Sequence, residues 1–484
     1  MLRFECNQFD LVQEVLKLRD IHINKVEREV YPDGLNRIVI NLEPTDNVKN
    51  CCPHCGKICD VYDTPRPNDP AKLWRSLDMG NEITVLEYKP HRVVCPEHGI
   101  VTAFVPWAYP HACFTREFDQ QVTWMARQMS KTAVSEYMRI TWPTVGRCIS
   151  RVKNDVEPDT SSRLNGLVKI GIDENAVRKG SNHYIMIVVN HLTNEVVWAR
   201  EGRSKQVLSE FFEELTDEQR STIQLVSADG AEWIHDVVKH YCPKAVVCID
   251  TFHVFEWVAK AENAVRLEEW RKKNMEVRDL KVDKQDVKDE REECDSKELK
   301  ELSQMIDAAI KNARADAAFI KSGNFLYTSN PDNLTPEQIL AQQQLMNLSP
   351  VLLRVHGRVQ TLRDIMHSSD YDAADAAFDK WIGWARRSRL EPFKSLASTL
   401  KNFKESILNT IKYGLTNARV EANNNIIKGI IRRGYGFRNI KNLIDLIMLT
   451  CSKRYVVLPN RGMEEKSRSR WRVYRTHKFV PVAA

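Results

Sequence analysis

No stretch of the 484 residues reaches the ~18 consecutive apolar positions that span a bilayer. The N-terminus, MLRFECNQFD, lacks the basic-then-apolar layout of a secretory signal. These absences point away from a membrane or exported protein and toward a cytoplasmic one. There is no short-period repeat and no low-complexity tract, which argues against a repeat array. A strong net charge is missing too: 71 Lys+Arg against 65 Asp+Glu leave +6, so the mean says little about partners. Hydrophobic residues at 43% and charged residues at 28% are ordinary for a soluble globular chain, and this length allows two to four domains.

The distribution of residues says more. VEREV and NRIVINLEP alternate with period two, so residues 1–48 read as a strand-rich lead-in. Residues 49–110 hold a cysteine cluster, and residues 111–160 read as short helices. From Leu167 the pattern changes. LVKIGID, YIMIVVN and EVVWARE are three β-rich runs; SKQVLSEFFEELTDE is helical; IQLVSADG is a strand, EWIHDVVKHY a helix and AVVCIDTFHV another strand. That order, over residues 161–256, predicts an α/β sheet of mixed direction. Residues 257–415 are helical throughout, including a charge-dense stretch whose alternating signs suit a solvated helix or helical hairpin. A last helical region covers 416–458. The tail 459–484 carries SRSRWRVYRTHK, basic and aromatic, which suits either phosphate contact or a solubilising role.

Five of the twelve cysteines fall between Cys51 and Cys95. Cys52-x-x-Cys55, in the turn CPHCG, and Cys95-x-x-His98 form two short-spaced pairs of thiolate and imidazole ligands, which suit tetrahedral zinc in a ribbon-like module. Cys51, His54 and Cys59 break the paired spacing and rank lower. Four protein ligands leave no open position, so the expected role is structural. The competing reading is a set of unligated thiols.

FDQQVTWMARQMSKTAVSEYMRITWPTVGRCISRVKND has the rhythm of a helix-turn-helix. Val122, Met125, Ala126 and Met129 fit one helix face, Thr132 to Met138 a second helix, and Pro143 a third helix start. From that last helix Arg147, Arg151 and Lys153 are candidates for phosphate or base contact. An ordinary helical bundle is the alternative.

Asp173 and Asp229 each follow an apolar strand, where site residues of α/β sheets collect. Two desolvated carboxylates on neighbouring strands repel each other unless a cation or hydrogen bonds compensate, and hard oxygen donors suit Mg2+. Far downstream, VEANNNIIKGIIRRGYGF sets Glu421 ahead of Lys428, Arg432 and Arg433. If that helix packs beside the strand ends, Glu421 becomes a third ligand, and two ions ~3.5–4 Å apart can serve a phosphodiester displacement. The basic residues then meet the DNA backbone. Asn417, Asn423, Asn424 and Asn425 are candidates for phosphate or base contact, or for capping. Singly, each acid has a turn or helix-end explanation. Asp250, with His253 three positions on, rivals Asp229 as second ligand.

Together these residues resemble the ISL3 family of insertion-sequence transposases over nearly the whole length. The resemblance rests on CPHCG with its later pair, GIDENAVRKGSNHYIMIVVN, SADG, DTFHV and TNARVEANNNIIKGIIRRGYGFRN. It implies an RNase H-like catalytic domain interrupted by a helical insertion, with Asp173, Asp229 and Glu421 as its DDE residues and Asp250 and His253 as accessory groups near them. His98 stands where many relatives would show cysteine. The implied cofactors are two Mg2+, replaceable by Mn2+, with structural Zn2+. The implied partners are double-stranded DNA, as element ends and target, and further copies of the chain in a synaptic complex, with the protein at the nucleoid. The alternatives are a non-catalytic DNA-binding regulator derived from a transposase, and a nuclease that cuts without joining.

Overall fold

The alternating apolar pattern near the N-terminus builds a sheet that ignores the boundary expected at residue 48. The structure, a computed structural model, describes residues 8–16, 18–32, 34, 36–178, 183–294, 296–437 and 439–452. The basic tail 459–484 lies outside them. Helix α1 (Gln8–Leu16) opens the described chain, ahead of the expected strands β1 (Ile21–Glu29) and β2 (Arg37–Pro44). A three-stranded sheet of β3 (Asp60–Asp63), β6 (Arg92–Cys95) and β7 (Gly99–Thr102) carries the cysteine cluster. Strands β4 (Lys72–Arg75) and β5 (Ile83–Tyr88) instead join the first sheet, in the order β1-β2-β5-β4. Ile40, Leu42, Trp74 and Leu86 form its buried side. The lead-in therefore shares a sheet with residues beyond 70, and burial of one apolar face is what joins them.

Three helices follow. Thr115 caps α2 (Arg116–Gln128) and Ser130 caps α3 (Lys131–Tyr137), each hydroxyl accepting a backbone N–H of the first turn. Pro143 sits in the first turn of α4 (Trp142–Val156). Val122, Met125 and Ala126 are buried as their spacing predicts, whereas Met129 ends the helix and is more than a third exposed. Helix Ile440–Cys451 packs on α2 and α4, and Ser150 donates to the buried Asp445 at 2.6 Å. Residues 1–163, 176–183 and 425–484 constitute one unit of the chain, and 164–175 with 184–424 the other.

In the second unit, β8 (Lys169–Ala176) is the middle strand of a five-stranded sheet ordered β10-β9-β8-β11-β12. Strands β9 (Tyr184–Asn190) and β10 (Glu195–Glu201) pair antiparallel. Strands β11 (Leu225–Ala228) and β12 (Val246–Ile249) run parallel to each other, and β11 runs parallel to β8. The five strands and their mixed direction match the sequence expectation. Helices α5 (Lys205–Glu213) and α7 (Glu232–Tyr241), with the short α6 (Asp217–Thr222) between them, help cover it; Leu208, Phe211, Phe212, Ile234 and Val238 pack with Ile170, Ile172, Met186 and Val226. One expectation fails here. AVVCIDTFHV is not one strand: β12 stops at Ile249, and Asp250 caps α8 (Thr251–Glu293) by accepting from the Phe252 N–H at 3.3 Å. A short apolar run cannot announce where a strand gives way to a helix, and Asp is a strong N-cap.

Helix α8 pairs with α9 (Lys297–Ser322) as a hairpin, and six further helices, α10 (Asn324–Thr328) to α15 (Lys404–Tyr413), complete the insertion. Its core includes Val258, Val265, Tyr327, Phe378, Trp381 and Phe393. Within this unit Glu262 is almost wholly buried, with neither carboxylate oxygen hydrogen-bonded. Burial pushes its pKa up to about 8, against the pull of Arg363, and burial also lowers that of His356, 3.9 Å away. Although the distance would admit an ion pair, both directions favour neutral side chains. Because the folded-state value is raised, the associated stability is complete below ~4.5 and is lost as pH climbs through about 8. Glu262→Gln should therefore be the more stable form at pH 9, by about 2 kcal/mol, with the gap closing toward pH 5 in urea titrations.

Candidate active site and metal centre

The zinc-like cluster forms from two turns of the three-stranded sheet. One precedes β3 and the other links β6 to β7. The ligand atoms of Cys52, Cys55, Cys95 and His98 all lie within 4.8 Å of one another. Cys55 Sγ is 3.6 Å from Cys95 Sγ; His98 Nδ1 is 3.5 Å from Cys95 Sγ and 3.8 Å from Cys52 Sγ. A tetrahedral zinc with ordinary bond lengths separates its ligands by ~3.8 Å for two sulfurs and ~3.6 Å for sulfur and nitrogen. The donor set and its spacing fit that ion. Desolvation opposes ionisation of Cys95, but hydrogen bonds from His98 and the Glu97 N–H bring its thiol down to about 6. Cys51 and Cys59 donate to the Asn47 and Lys57 carbonyls, and His54 stacks tilted on His98.

The acids of the second unit are set by the sheet and by α16 (Ala418–Arg433). That helix can approach the middle strand because Gly171 lacks a side chain; a Cβ there would stand 2.3 Å from Val420 Cγ2 and 2.7 Å from His191 Nε2. The first turns of α16 are pinned by polar groups. Ser227 bridges His191 and Asn417, Arg419 donates to the Leu192 carbonyl at 3.2 Å, and Asn423 donates to Asn194 Oδ1 at 3.1 Å.

Asp173 sits in β8 beneath these turns. Its Oδ1 accepts from the Glu174 N–H at 2.6 Å and its Oδ2 from Asn424 Nδ2 at 2.7 Å. Asn424 Oδ1 in turn accepts from Asn175 Nδ2 at 2.6 Å. Asn424, expected to contact DNA, is buried with both ends of its amide engaged, so it positions Asp173 instead. Burial raises the Asp173 pKa above the ordinary carboxylate range and the Asp229 charge adds to it, while these hydrogen bonds and His253 pull the other way. Asp250 is raised for the same first reason, with Asp173 and Glu421 adding. Asp229, just past β11, accepts from the Ala231 N–H at 3.1 Å, and His235 Nε2 lies 3.2 Å from its carbonyl oxygen. Glu421 is exposed, and its charge bears on Asp250. His253 lies 3.5 Å from Glu256. These groups are close enough to feel one another's charge. Among the described residues, however, the zinc-like cluster is the single set of three or more acids, cysteines or histidines whose ligand atoms gather within 4.8 Å.

Sequence reasoning passed over Glu174. Its side chain is buried and ion-paired with Arg203. Burial pushes it up to about 7, against Arg203 and with help from Asp229 and Asp173. One of its oxygens, and Asn175 Oδ1, are buried without a hydrogen-bond partner. The signal was the run Asp173-Glu174-Asn175, three polar residues closing an apolar strand. Such under-compensated oxygens fit a divalent cation.

Of the basic candidates, Arg151 is committed elsewhere: it grips the fully buried Asp119 through two hydrogen bonds of 2.6 and 2.8 Å. A guanidinium so paired holds α4 against α2 and is not free for phosphate. Arg147 is exposed and donates to Thr144 at 2.8 Å; Lys153 is half-buried. Lys428, Arg432 and Arg433 are exposed along α16, with Arg433 donating to the Gln128 carbonyl at 3.1 Å. Among the described residues no helix is long and apolar enough to cross a membrane.

Residues 170–447 match the ISL3 family model described as transposase, and residues 105–152 match the helix-turn-helix domain of transposase family ISL3. The chain is 34% identical over 425 residues to the transposase for insertion sequence element IS1557 of Mycobacterium tuberculosis, covering 88% of this chain and 91% of that protein. It is 26% identical over 419 residues to the transposase for insertion sequence element IS1001 of Bordetella parapertussis, covering 86% and 92%.

Proposed function

The chain belongs to the ISL3 family of insertion-sequence transposases, and from that premise we propose that it binds the terminal inverted repeats of its element, cuts the DNA there and joins the freed ends to a target. The observation that carries this reading is the carboxylate cluster around Asp173 on the middle strand, with Asp229 and Asp250 at the ends of the two adjoining parallel strands and Glu421 on the helix above. The mixed five-stranded sheet with its first strand in the middle supports an RNase H-like domain.

Asp173, Asp229 and Glu421 are the residues that would hold two Mg2+ ions, with Asp250 and His253 beside them. Bound there, Mg2+ or Mn2+ supplies activation of the attacking oxygen and neutralises charge on the leaving oxygen. The chain's own groups do the rest. Asn424 and the Glu174 N–H fix the Asp173 carboxylate in one orientation. Burial and the neighbouring acids disfavour the ionised forms of Asp173 and Asp250, and a divalent cation bound there would offset that charge. Water attacks in the first displacement and the freed 3′-hydroxyl in the second; both are in-line exchanges at phosphorus and can use one set of ligands. The helix-turn-helix and the zinc-bearing sheet would recognise the ends, with Arg147 and Lys153 on the last helix, and Lys428, Arg432 and Arg433 would meet the backbone. Joining two ends calls for at least two copies of the chain.

The reading is tested on DNA flanking the gene. Imperfect inverted repeats bracketing the reading frame supply the substrate. Purified protein with Mg2+ should nick at their ends and then yield joined products. Cutting without joining would contradict a transposase and favour a nuclease.

Asn424 gives a finer check. Asn424→Ala should leave end binding intact and raise the Mg2+ concentration for half-maximal cleavage by about 10- to 100-fold, the usual scale for losing a group that orients a metal ligand. An unchanged metal requirement would remove its positioning role.

A further inference from the structure

We propose that the distal part of the α8–α9 hairpin is a self-association arm that pairs antiparallel with the same arm of a second copy of this chain. The inference goes beyond the transposase reading and does not require it, because it concerns association without DNA or metal.

The arm begins where the core of the helical insertion ends. Val254, Val258, Ala261 and Val265 of α8 and Ile320 of α9 belong to that core, and residues 271–293 and 297–315 do not. At 1.5 Å per residue the α8 portion is about 34 Å long. Within the arm the two helices seal on each other through Val277, Val287, Ile310 and Ala313, which are buried. Ion pairs set the register, joining Lys284 to Asp307 and Lys273 to Asp316. The seam consumes that face alone. Met275 and Val282 of α8, seven residues apart, remain 60% exposed, and Leu302 and Met305 of α9 are 42% and 67% exposed. Large apolar side chains at heptad spacing on an outer helix face suit a second helix layer.

Charge identifies the occupant. The base of the arm, residues 271–281 and 310–315, carries seven Lys/Arg and two Asp/Glu. The outer half, residues 282–292 and 297–309, carries five Lys/Arg and eight Asp/Glu. The arm is thus basic at one end and acidic at the other. A parallel partner would set like charge against like; an antiparallel copy sets each basic base on an acidic tip. A two-fold axis halfway along the α8 portion falls at Val282, so that this exposed valine meets its own counterpart, as an isologous contact requires. Double-stranded DNA is the competing occupant, and it matches only the basic half.

The test uses the full chain without DNA, by sedimentation equilibrium at 0.1 M and 1 M salt, where the screening length falls from ~10 Å to ~3 Å. The parent should dimerise at micromolar concentration and dissociate in high salt. The tip exchange Asp283→Lys with Asp286→Lys, and separately the base exchange Arg278→Glu with Lys281→Glu, should each weaken dimerisation by about tenfold or more, since each sets like charge on like. All four residues are exposed, so the helices should keep their far-ultraviolet dichroism. The fourfold exchange restores complementarity and should return dimerisation to within about threefold of the parent. A monomeric parent, exchanges without effect, or a fourfold variant that stays monomeric would each overturn the proposal. So would a base exchange that loses DNA binding while leaving the dimer intact, which would assign the arm to nucleic acid.

Discussion

Glu421→Gln should abolish cleavage of element ends, by about 10^3-fold or more, while end binding stays within about threefold of the parent. Glu421 is exposed, and the docking of its helix depends on its neighbours Asn417, Val420, Asn423 and Asn424, which are buried. Removing its charge therefore leaves the packing untouched. The loss falls on the displacement, because a group aimed at charge developing on the reacting phosphate is worth several kcal/mol in a site of this kind. Asp173→Asn should lose cleavage to the same extent with some loss of stability, since Asp173 is half-buried and holds Asn424. Gel-shift affinity, thermal denaturation and product formation on end-bearing DNA, measured together, separate these outcomes. If Glu421→Gln lost binding and folding along with cleavage, Glu421 would be a structural residue.

The second large effect concerns the other metal. Cys52→Ser should release zinc, unfold the three-stranded sheet and weaken end recognition by about 100-fold. Few apolar side chains hold that sheet: its buried cluster is Cys52, Cys59, Val93, Cys95 and Ala103, and three of the five are thiols. So small a core would rely on a bound ion, because structural zinc contributes on the order of 10 kcal/mol to modules of this size. Elemental analysis should give one zinc per chain in the parent and none in the variant, with new protease-sensitive sites between residues 50 and 105. A zinc content that does not change would reject the assignment of these four ligands.

Much of this was legible from residue order. The three β-rich runs after Leu167, and the strand-helix-strand series after them, became β8 to β12 as expected, because buried strands are written as apolar runs bounded by polar turns. The four zinc-type ligands were legible because paired spacing dictates how tightly a turn can gather them. The failures share one cause: a residue type states what it can do, and tertiary packing decides whether it is free to do it. Arg151 reads as a phosphate ligand until Asp119, 32 positions earlier in the chain, is found beneath it. Asn424 reads as a DNA contact until α16 is seen to dock over Gly171 and turn that amide onto Asp173. Glu174 was hidden because its partner, Arg203, comes from beyond β10. Asp250 read as a strand end and proved to be a helix cap as well, which leaves it and Asp229 both within the electrostatic reach of Asp173.

The most direct measurement is strand transfer from pre-cleaved DNA ends that carry free 3′-hydroxyls, with purified parent protein and Mg2+, beside Asp173→Asn, Asp229→Asn, Asp250→Asn and Glu421→Gln. Joined products from the parent, none from the Asp173, Asp229 and Glu421 variants, and residual joining from Asp250→Asn are the expected result. Joining that survives loss of Asp173 or Glu421 would contradict the assignment of the reaction to the carboxylates around the middle strand.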